Sequence, residues 1–534
     1  MVMVPISPRT RSHSGYAPAL LPAPASDAHA LGTRRTRWGN RRTSRVTIAV
    51  LISLVCAALL YTFSLRSQEG ERGSLKEEIS DWLPDGLTSL KNDWAEEVEK
   101  EYEQKHENHK APPKPEQKLL PPLYQRFHTY ELELPQHDPS LSYPEGRTGK
   151  YFWPANHVRG SGWGNVMQEH LMNAYLAYRS GRALVFDNYT WEDDGSDYSE
   201  VYGGSLIPSR IPFSAFLQGP AVGGSFSEGD HTPRAVIKEY FDEVCPRPQI
   251  IASEELVPLG DPSSATERMR RWVDKLSHSD RCVEVRKSSY QIFDIWIFGQ
   301  VDRLLDIWPA FSKSPIMTQL QWSALVELAF DTNRELLLPS PTVIPPLTSL
   351  PFTSASERYS QLPGLLVLHL RRGDFEEHCV KLSGWGSGFT GWNSFPGLPD
   401  PWVFPPEDAS TDEARRWYVL RCYPDIDEIV RRAAEARQSP AGRGLKAVYV
   451  MTNGEEGWVR ELERALREKG GWESVASTKD LVLNHEQLYV AQAVDMLIGQ
   501  RAQMLIGNGF SSLTGMIVML RMANGVPLDS NRFW

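Results

Sequence analysis

A chain of 534 residues, 41% of them hydrophobic, is long enough for roughly two to four domains with substantial cores. Its net charge of −10 speaks against a chain-wide nucleic-acid binder. Five cysteines without a CxxC pair speak against a structural zinc site.

Residues 1–45 are rich in Pro, Ala, Ser and Arg and read as a disordered cytosolic tail. Arg34, Arg35, Arg37, Arg41, Arg42 and Arg45 then precede an uncharged apolar run over 46–65. That run is long enough to cross about 30 Å of hydrocarbon as a helix. A cleaved signal peptide would have a shorter apolar core nearer the N-terminus. The expectation is a transmembrane signal anchor with its arginine flank in the cytosol, a type II single-pass topology. Residues 66–145, charged and Pro-rich, read as a stem.

The first folded domain is expected over 146–350. A strand over 150–153 leads into the turn Gly160-Ser-Gly-Trp-Gly164 and a helix over 166–178. Asn165 is the expected N-cap and Gly181 the stop. A strand follows over 183–186. Such a β–loop–α–β unit lets backbone N–H groups approach an anion at the helix N-terminus. Asn188-Tyr-Thr190 is an N-glycosylation sequon. Glu192-Asp-Asp194 reads either as a solvated acidic loop or as a metal site. A helix is expected over 265–276, and the Pro/Ser-rich stretch 337–363 marks the domain boundary.

The second domain is expected over 351–534. Its apolar run 365–370 reads as a strand buried on both faces, delivering His369, Arg371, Arg372 and Asp374 at its carboxyl end. Ligands of open parallel sheets sit beyond that end, and the planar fork of Arg grips phosphate. The insertion 383–408 carries Trp385, Phe389, Trp392 and Trp402, which either line an acceptor groove or pack locally. Helices are expected over 412–421 and onward to 436, over 458–469, 486–499 and 513–522, with strands over 446–451 and 503–506. The alternation implies an α/β fold with parallel, doubly wound sheets. Ser511 and Ser512 stand at a helix start, as an N-cap or as donors to an anion. Cys56 lies in the apolar run. Cys245, Cys282, Cys379 and Cys422 allow three pairings, of which chain proximity favours Cys245–Cys282 and Cys379–Cys422.

His369-Leu-Arg371-Arg372-Gly-Asp374-Phe375 resembles the HxRRxD motif of the GDP-fucose-dependent fucosyltransferases, the protein O-fucosyltransferases above all. Residues 493–514, an acidic residue followed by a strand and a GN..SS.T loop, look like that family's C-terminal segment. The turn Gly162-Trp-Gly164-Asn165 is similar to its N-terminal glycine turn. The resemblance implies a GT-B fold, two Rossmann-like domains with the active-site cleft between them, and an inverting transfer of fucose from GDP-fucose to a protein or glycan hydroxyl. It implies no metal and no cofactor. Arg371 would be the catalytic residue, holding the β-phosphate of the leaving GDP. His369 and Asp495 would contact the nucleotide. Ser511, Ser512 and the N–H of Leu513 would hold the pyrophosphate, with Gly164 and Asn165 approaching from the other domain. Anchor and stem fit a Golgi or endoplasmic reticulum enzyme with a lumenal catalytic part. Some relatives place a glutamate near the N-terminal turn as general base. Here no acidic residue lies between Lys150 and Gln168, and Glu169 and His157 are the nearest titratable groups. Two alternatives remain: an inactive membrane-tethered sugar-nucleotide or glycan-binding protein of the same fold, and a metal-dependent transferase using Glu192–Asp194.

Overall fold

The computed structural model describes residues 119–534, apart from 202–203, 259, 339–344, 350–351, 353 and 374. The expected tail, the anchor over 46–65 and most of the stem lie outside the described residues. Among the described residues no helix is long and apolar enough to cross a membrane.

Residues 119–145, expected as the end of the stem, are in part built into the folded body. Tyr124 and Leu134 are buried on either side of the helix Gln125–Leu132. The buried carboxylate of Glu131 accepts the Ser214 N–H at 2.8 Å, and the Gln136 amide donates to the carbonyls of Gly223 and Ala235. These polar residues look solvated in the sequence because their partners lie far along the chain.

The first sheet has five parallel strands: β1 (Tyr151–Trp153), β2 (Ala183–Phe186), β3 (Val236–Ile237), β4 (Gln249–Ile251) and β5 (Cys282–Val285), in the order β3-β2-β1-β5-β4. β1 and β2 are wholly buried, as their short unbroken apolar runs require. Between them runs α1 (Trp163–Arg179), of which only Asn165, Tyr178 and Arg179 escape burial. α1 begins earlier than expected. Its N-cap is Gly162, not Asn165, whose N–H already donates to the Gly162 carbonyl at 2.9 Å. Gly181 ends the turn at φ +61°, which a side chain would resist. The next residue, Arg182, is buried. Its guanidinium donates to the carbonyls of Leu276 and Ser279, beside the C-terminus of α2 (Ala265–Ser277), and to those of Tyr151, Asp280 and Arg281.

α3 (Ala324–Leu337) was expected in the first domain, yet it packs against the second half. Asn333 exchanges hydrogen bonds with the Val482 backbone, and the Trp322 indole donates to Gln500.

The second sheet is also parallel: β6 (Leu362–Leu370), β7 (Ala447–Thr452), β8 (Ser474–Ser477), β9 (Ala502–Gly507) and β10 (Asn531–Phe533), in the order β8-β7-β6-β9-β10. The order reverses between β6 and β9, the place where doubly wound sheets bind ligands. α4 (Phe375–Trp385) and α5 (Thr411–Cys422) form the insertion after β6. The helix expected over 486–499 is two pieces, His485–Leu488 and α6 (Ala491–Arg501), because Val490 leaves the helical conformation to bury its side chain. α7 (Ser512–Ala523) closes the unit, and its Arg521 guanidinium, buried like that of Arg182, donates to the Gly499, Gln500 and Ala502 carbonyls at the end of α6.

Phe389 and Trp392 do not line a groove. Both are buried, and Trp392 packs with Phe395 against Trp308 and Phe311 of the first half. Trp402 packs on Tyr418 and Phe510, which leaves Trp385 as the exposed member of the four.

Two disulfides, Cys245–Cys282 and Cys379–Cys422, take the pairing that proximity favours. The second spans 43 residues and ties α4 to α5. Its loss in Cys422→Ser is expected to lower the unfolding free energy by about 3–4 kcal/mol. Urea titration of variant and parent reads the difference, and an unchanged midpoint would contradict it.

Candidate functional site

β6 is the middle strand of its sheet, so Leu365, Leu366, Val367, Leu368 and Leu370 are all removed from solvent. His369 is the polar exception. Its Nδ1 lies 2.6 Å from Thr514 Oγ1, which fastens the strand end to the first turn of α7. Burial, and then the charge of Arg371, push its pKa down to about 3, so the ring is neutral at physiological pH. Its carbonyl accepts the indole N–H of Trp534 at 2.9 Å.

The two arginines that follow differ. Arg371 is half-buried, with its guanidinium 4.7 Å from the centre of the Phe375 ring. Arg372 is buried between the rings of Tyr423 and Trp458, at 4.2 and 4.1 Å, and donates to the Pro424 carbonyl. Asn453 braces its backbone N–H and C=O. Arg372 is a structural pillar, and Arg371 stands at the strand exit. Asp374 lies outside the described residues.

Beyond β9 the chain enters α7 through Ser511 and Ser512. Ser511 holds the N-cap position, but its hydroxyl accepts no helix N–H. Ser264, Ser323 and Ser410, at three other helix starts, do cap in this way. The simple N-cap reading of Ser511 therefore does not hold.

Gly164, in the first turn of α1, lies against the first turn of α7. A Cβ on Gly164 would stand 2.7 Å from Leu513 N and 2.9 Å from both the carbonyl carbon and Oγ of Ser512. Only a hydrogen fits. Two helix N-termini, each carrying a partial positive charge, thus meet at one point. Asn165 follows in the same turn, with its side-chain oxygen 3.5 Å from Gln168 Nε2.

Asp495 is placed differently. It projects from α6 beneath the carboxyl ends of β7 and β8, where Tyr449 donates to it at 2.6 Å and Thr478 lies at 3.1 Å. Burial raises its pKa to about 7. Direct contacts therefore unite Gly164, Ser512, Leu513, Thr514 and His369, while Asp495 belongs to a neighbouring buried network. Thr514 and Trp534 were missed from sequence. Thr514 closes the GN..SS.T loop, a usable signal, whereas Trp534 has no local one.

Of the two base candidates, His157 is engaged by a guanidinium and Glu169 is buried. His157 Nε2 lies 3.0 Å from the Arg159 guanidinium, and burial with that charge brings its pKa down to about 3. Glu169 is buried, and its Oε2 accepts the Val158 N–H at 2.6 Å, holding the loop that leads to Gly164. Its Oε1 has no partner among the described residues, and burial raises its pKa to about 8. Glu169 and His157 border a cavity of about 20 Å³, too small for a sugar.

In the acidic cluster, Asp193 pairs with Lys287 and with Arg159, and Asp194 accepts the Ser196 N–H. Among the described residues no group of His, Cys, Asp and Glu is arranged to hold a metal. In the sequon, the Asn188 amide donates to Asp187, and the Thr190 hydroxyl to the Asn188 carbonyl.

No family model and no curated protein matches the chain. Among solved structures it is similar to POFUT1 in complex with GDP, with 14% identity over 72% of this chain and 97% of that one, at a TM-score of 0.40. The POFUT1 complex with GDP-fucose gives 15% identity, the same coverages and 0.39. NodZ alpha-1,6-fucosyltransferase soaked with GDP-fucose gives 14% over 70% of this chain and 92% of that one, at 0.34. Likenesses at these scores assign neither an activity nor a ligand to this chain.

Gly164→Ala forces its methyl group onto backbone atoms of α7. It is expected to cost about 1–3 kcal/mol of stability, read by chemical denaturation; a neutral effect would show that the two first turns can part freely.

The buried carboxyls also set a pH dependence. Glu131, Glu169 and Asp495 are raised to about 7, about 8 and about 7, above their values in an unfolded chain. The folded state then keeps protons that the unfolded state has lost, so stability falls as pH rises toward those values. His157, His170 and His369, lowered to about 3, about 4 and about 3, act in the opposite sense, but only below about pH 6.5. Between about pH 6.5 and 8 stability is expected to fall, with about 1–2 kcal/mol from Glu169. Glu169→Gln should flatten that slope in denaturation curves.

Proposed function

We propose that this chain is an inverting, metal-independent transferase that moves fucose from GDP-fucose to a hydroxyl of a glycoprotein or glycan. In this reading the two parallel sheets are the two Rossmann-like domains of a GT-B frame. Residues 46–65 anchor it as a type II protein in the Golgi or endoplasmic reticulum membrane, with an oxidising lumen suited to its disulfides. The observation that carries the reading is the meeting of two helix N-termini at Gly164 and Leu513, beside a strand that delivers His369 and Arg371. Two partial positive charges brought together this closely are best matched by an anion, and a pyrophosphate supplies one.

The chemistry follows from charge. As the bond between the sugar's anomeric carbon and the β-phosphate oxygen breaks, negative charge gathers on that phosphate. Arg371, the hydroxyls of Ser511 and Ser512 and the Leu513 N–H stabilise it with fixed dipoles and one permanent cation. The acceptor oxygen bonds to the opposite face of the same carbon, inverting it, and its proton is released to solvent and the departing GDP. Glu169, buried beside a cavity too small for a sugar, and His157, bound to a guanidinium, are not placed to take the acceptor's proton, so the reading places most of the catalysis on the leaving group. Asp495, held by Tyr449 and Thr478, shapes the nucleotide side of the site.

The same lack of an open base favours a second reading, a binding protein of this fold that performs no transfer. Calorimetry of the full-length protein with GDP-fucose and GDP-mannose, each with and without EDTA, followed by turnover on an acceptor panel, separates the two. The transferase reading expects selective, EDTA-insensitive binding of GDP-fucose and measurable transfer. Arg371→Ala is expected to lower kcat by about 100–1000-fold, with no rescue by Lys, whose point charge cannot fork onto two oxygens. Parent-like turnover in Arg371→Ala would overturn the assignment.

A further inference from the structure

The loop 507–511, between β9 and α7, keeps several of its carbonyls turned into the protein. That of Gly507 accepts the Trp534 N–H, and that of Asn508 accepts the Ser511 N–H. That of Gly509 accepts the Thr390 N–H at 3.0 Å, and that of Ser511 the Gly515 N–H at 3.0 Å. One side chain grips the last two again. Asn393 sits in the short turn Gly391–Ser394 of the insertion and is 1% exposed. Its Nδ2 lies 2.9 Å from the Gly509 oxygen, 3.3 Å from the Ser511 oxygen and 3.0 Å from Thr390 Oγ1. Two carbonyl oxygens on one side of the amide require its NH2 there, because a carbonyl only accepts. The Asn393 Oδ1 is left without a partner among the described residues. The insertion reaches the loop because the facing positions are glycines. A Cβ on Gly509 would stand 2.4 Å from the Phe389 ring, and one on Gly515 would stand 3.0 Å from Thr390 Oγ1. On its other side the turn is wedged by Trp392 against Trp308 and Phe311.

We propose that Asn393 is a positioning residue, which fixes this loop in the form that accepts the diphosphate of a nucleotide. The proposal rests on the transferase reading above. A peptide unit is planar and trans, so its C=O and N–H point in opposite directions. Holding the Ser511 oxygen inward therefore aims the Ser512 N–H outward. With those of Leu513 and Thr514 it opens α7, where N–H groups have no partner within the helix. A swing of the loop would bring the Gly509 or Ser511 carbonyl, with its partial negative charge, toward the phosphates. Asn393 excludes that arrangement before the ligand arrives, so less ordering is left for binding to impose. It acts through the backbone of the loop, and its effect therefore falls on the phosphates and not on the base.

The test compares GDP, titrated by calorimetry, with guanosine, followed by saturation-transfer NMR, on the full-length protein in lipid nanodiscs. In Asn393→Ala both carbonyls keep their backbone donors, from Thr390 and Gly515, so the loop is weakened rather than stripped. GDP affinity is expected to fall about tenfold, with guanosine affinity unchanged. Asn393→Asp sets carboxylate oxygens against the same two carbonyls and should lose at least as much GDP affinity, again sparing guanosine. Gln136→Met is the control for a lost amide elsewhere. It removes a side chain that also grips two carbonyls, those of Gly223 and Ala235, and should bind GDP like the parent. Parent-like GDP affinity in both Asn393 variants would overturn the positioning role and leave the transferase reading standing. Guanosine lost in step with GDP would make Asn393 a general prop of the fold, which also overturns the proposal. So would an equal loss of GDP affinity in Gln136→Met. A parent protein that binds no GDP would remove the transferase reading and this proposal with it.

Discussion

The missing side chain at Gly164 is the constraint on which the site depends. Because only a hydrogen stands there, the first turn of α1 lies directly on Ser512 and Leu513 of α7. That contact brings together two helix ends that would otherwise repel, and the repulsion makes the spot receptive to negative charge. His369 holds the second of those turns to the central strand through Thr514. Arg371, released two residues later, stands where the strand stops. A fixed array of this kind needs little reorganisation when charge develops.

The opposite ends of the helices are treated in the opposite way. Arg182 sends its guanidinium to carbonyls at the end of α2, and Arg521 does the same at the end of α6. Burial lowers their pKa values to about 10 and about 9, still well above physiological pH, so both remain charged. Each half thus uses one buried cation to satisfy the negative pole of a neighbouring helix.

Much of this was legible locally. The runs at 183–186, 265–276 and 446–451 are bounded by turn residues and folded within a residue or two of expectation. The disulfide pairing followed from chain proximity. What failed depended on distant partners. α1 starts earlier than its sequence suggests, because Gly162-Trp-Gly164 reads as a loop until α7 is laid against it. β3 and β10, of two and three residues, carry too little pattern to stand out, and β10 begins with Asn531 and Arg532. For Phe389 and Trp392 the sequence leaves groove lining and packing both open, because Trp308 and Phe311, which help to cover Trp392, lie in the other half. In the site, the motif residues were legible as a set, but the separation of roles between Arg371 and Arg372 was not. It arises from Tyr423 and Trp458, far along the chain.

α3 has a mechanical consequence. Its N-cap Ser323 is fastened to the first half through the carbonyls of Ala215 and Phe216, while its body is fastened to the second half at Val482. One rigid rod bolted at both ends acts as a cross-brace. Two lobes joined in this way cannot swing apart like jaws without breaking those bonds. In the proposed transferase, entry and exit of a large substrate would then fall to the loops around the rim rather than to a hinge between lobes.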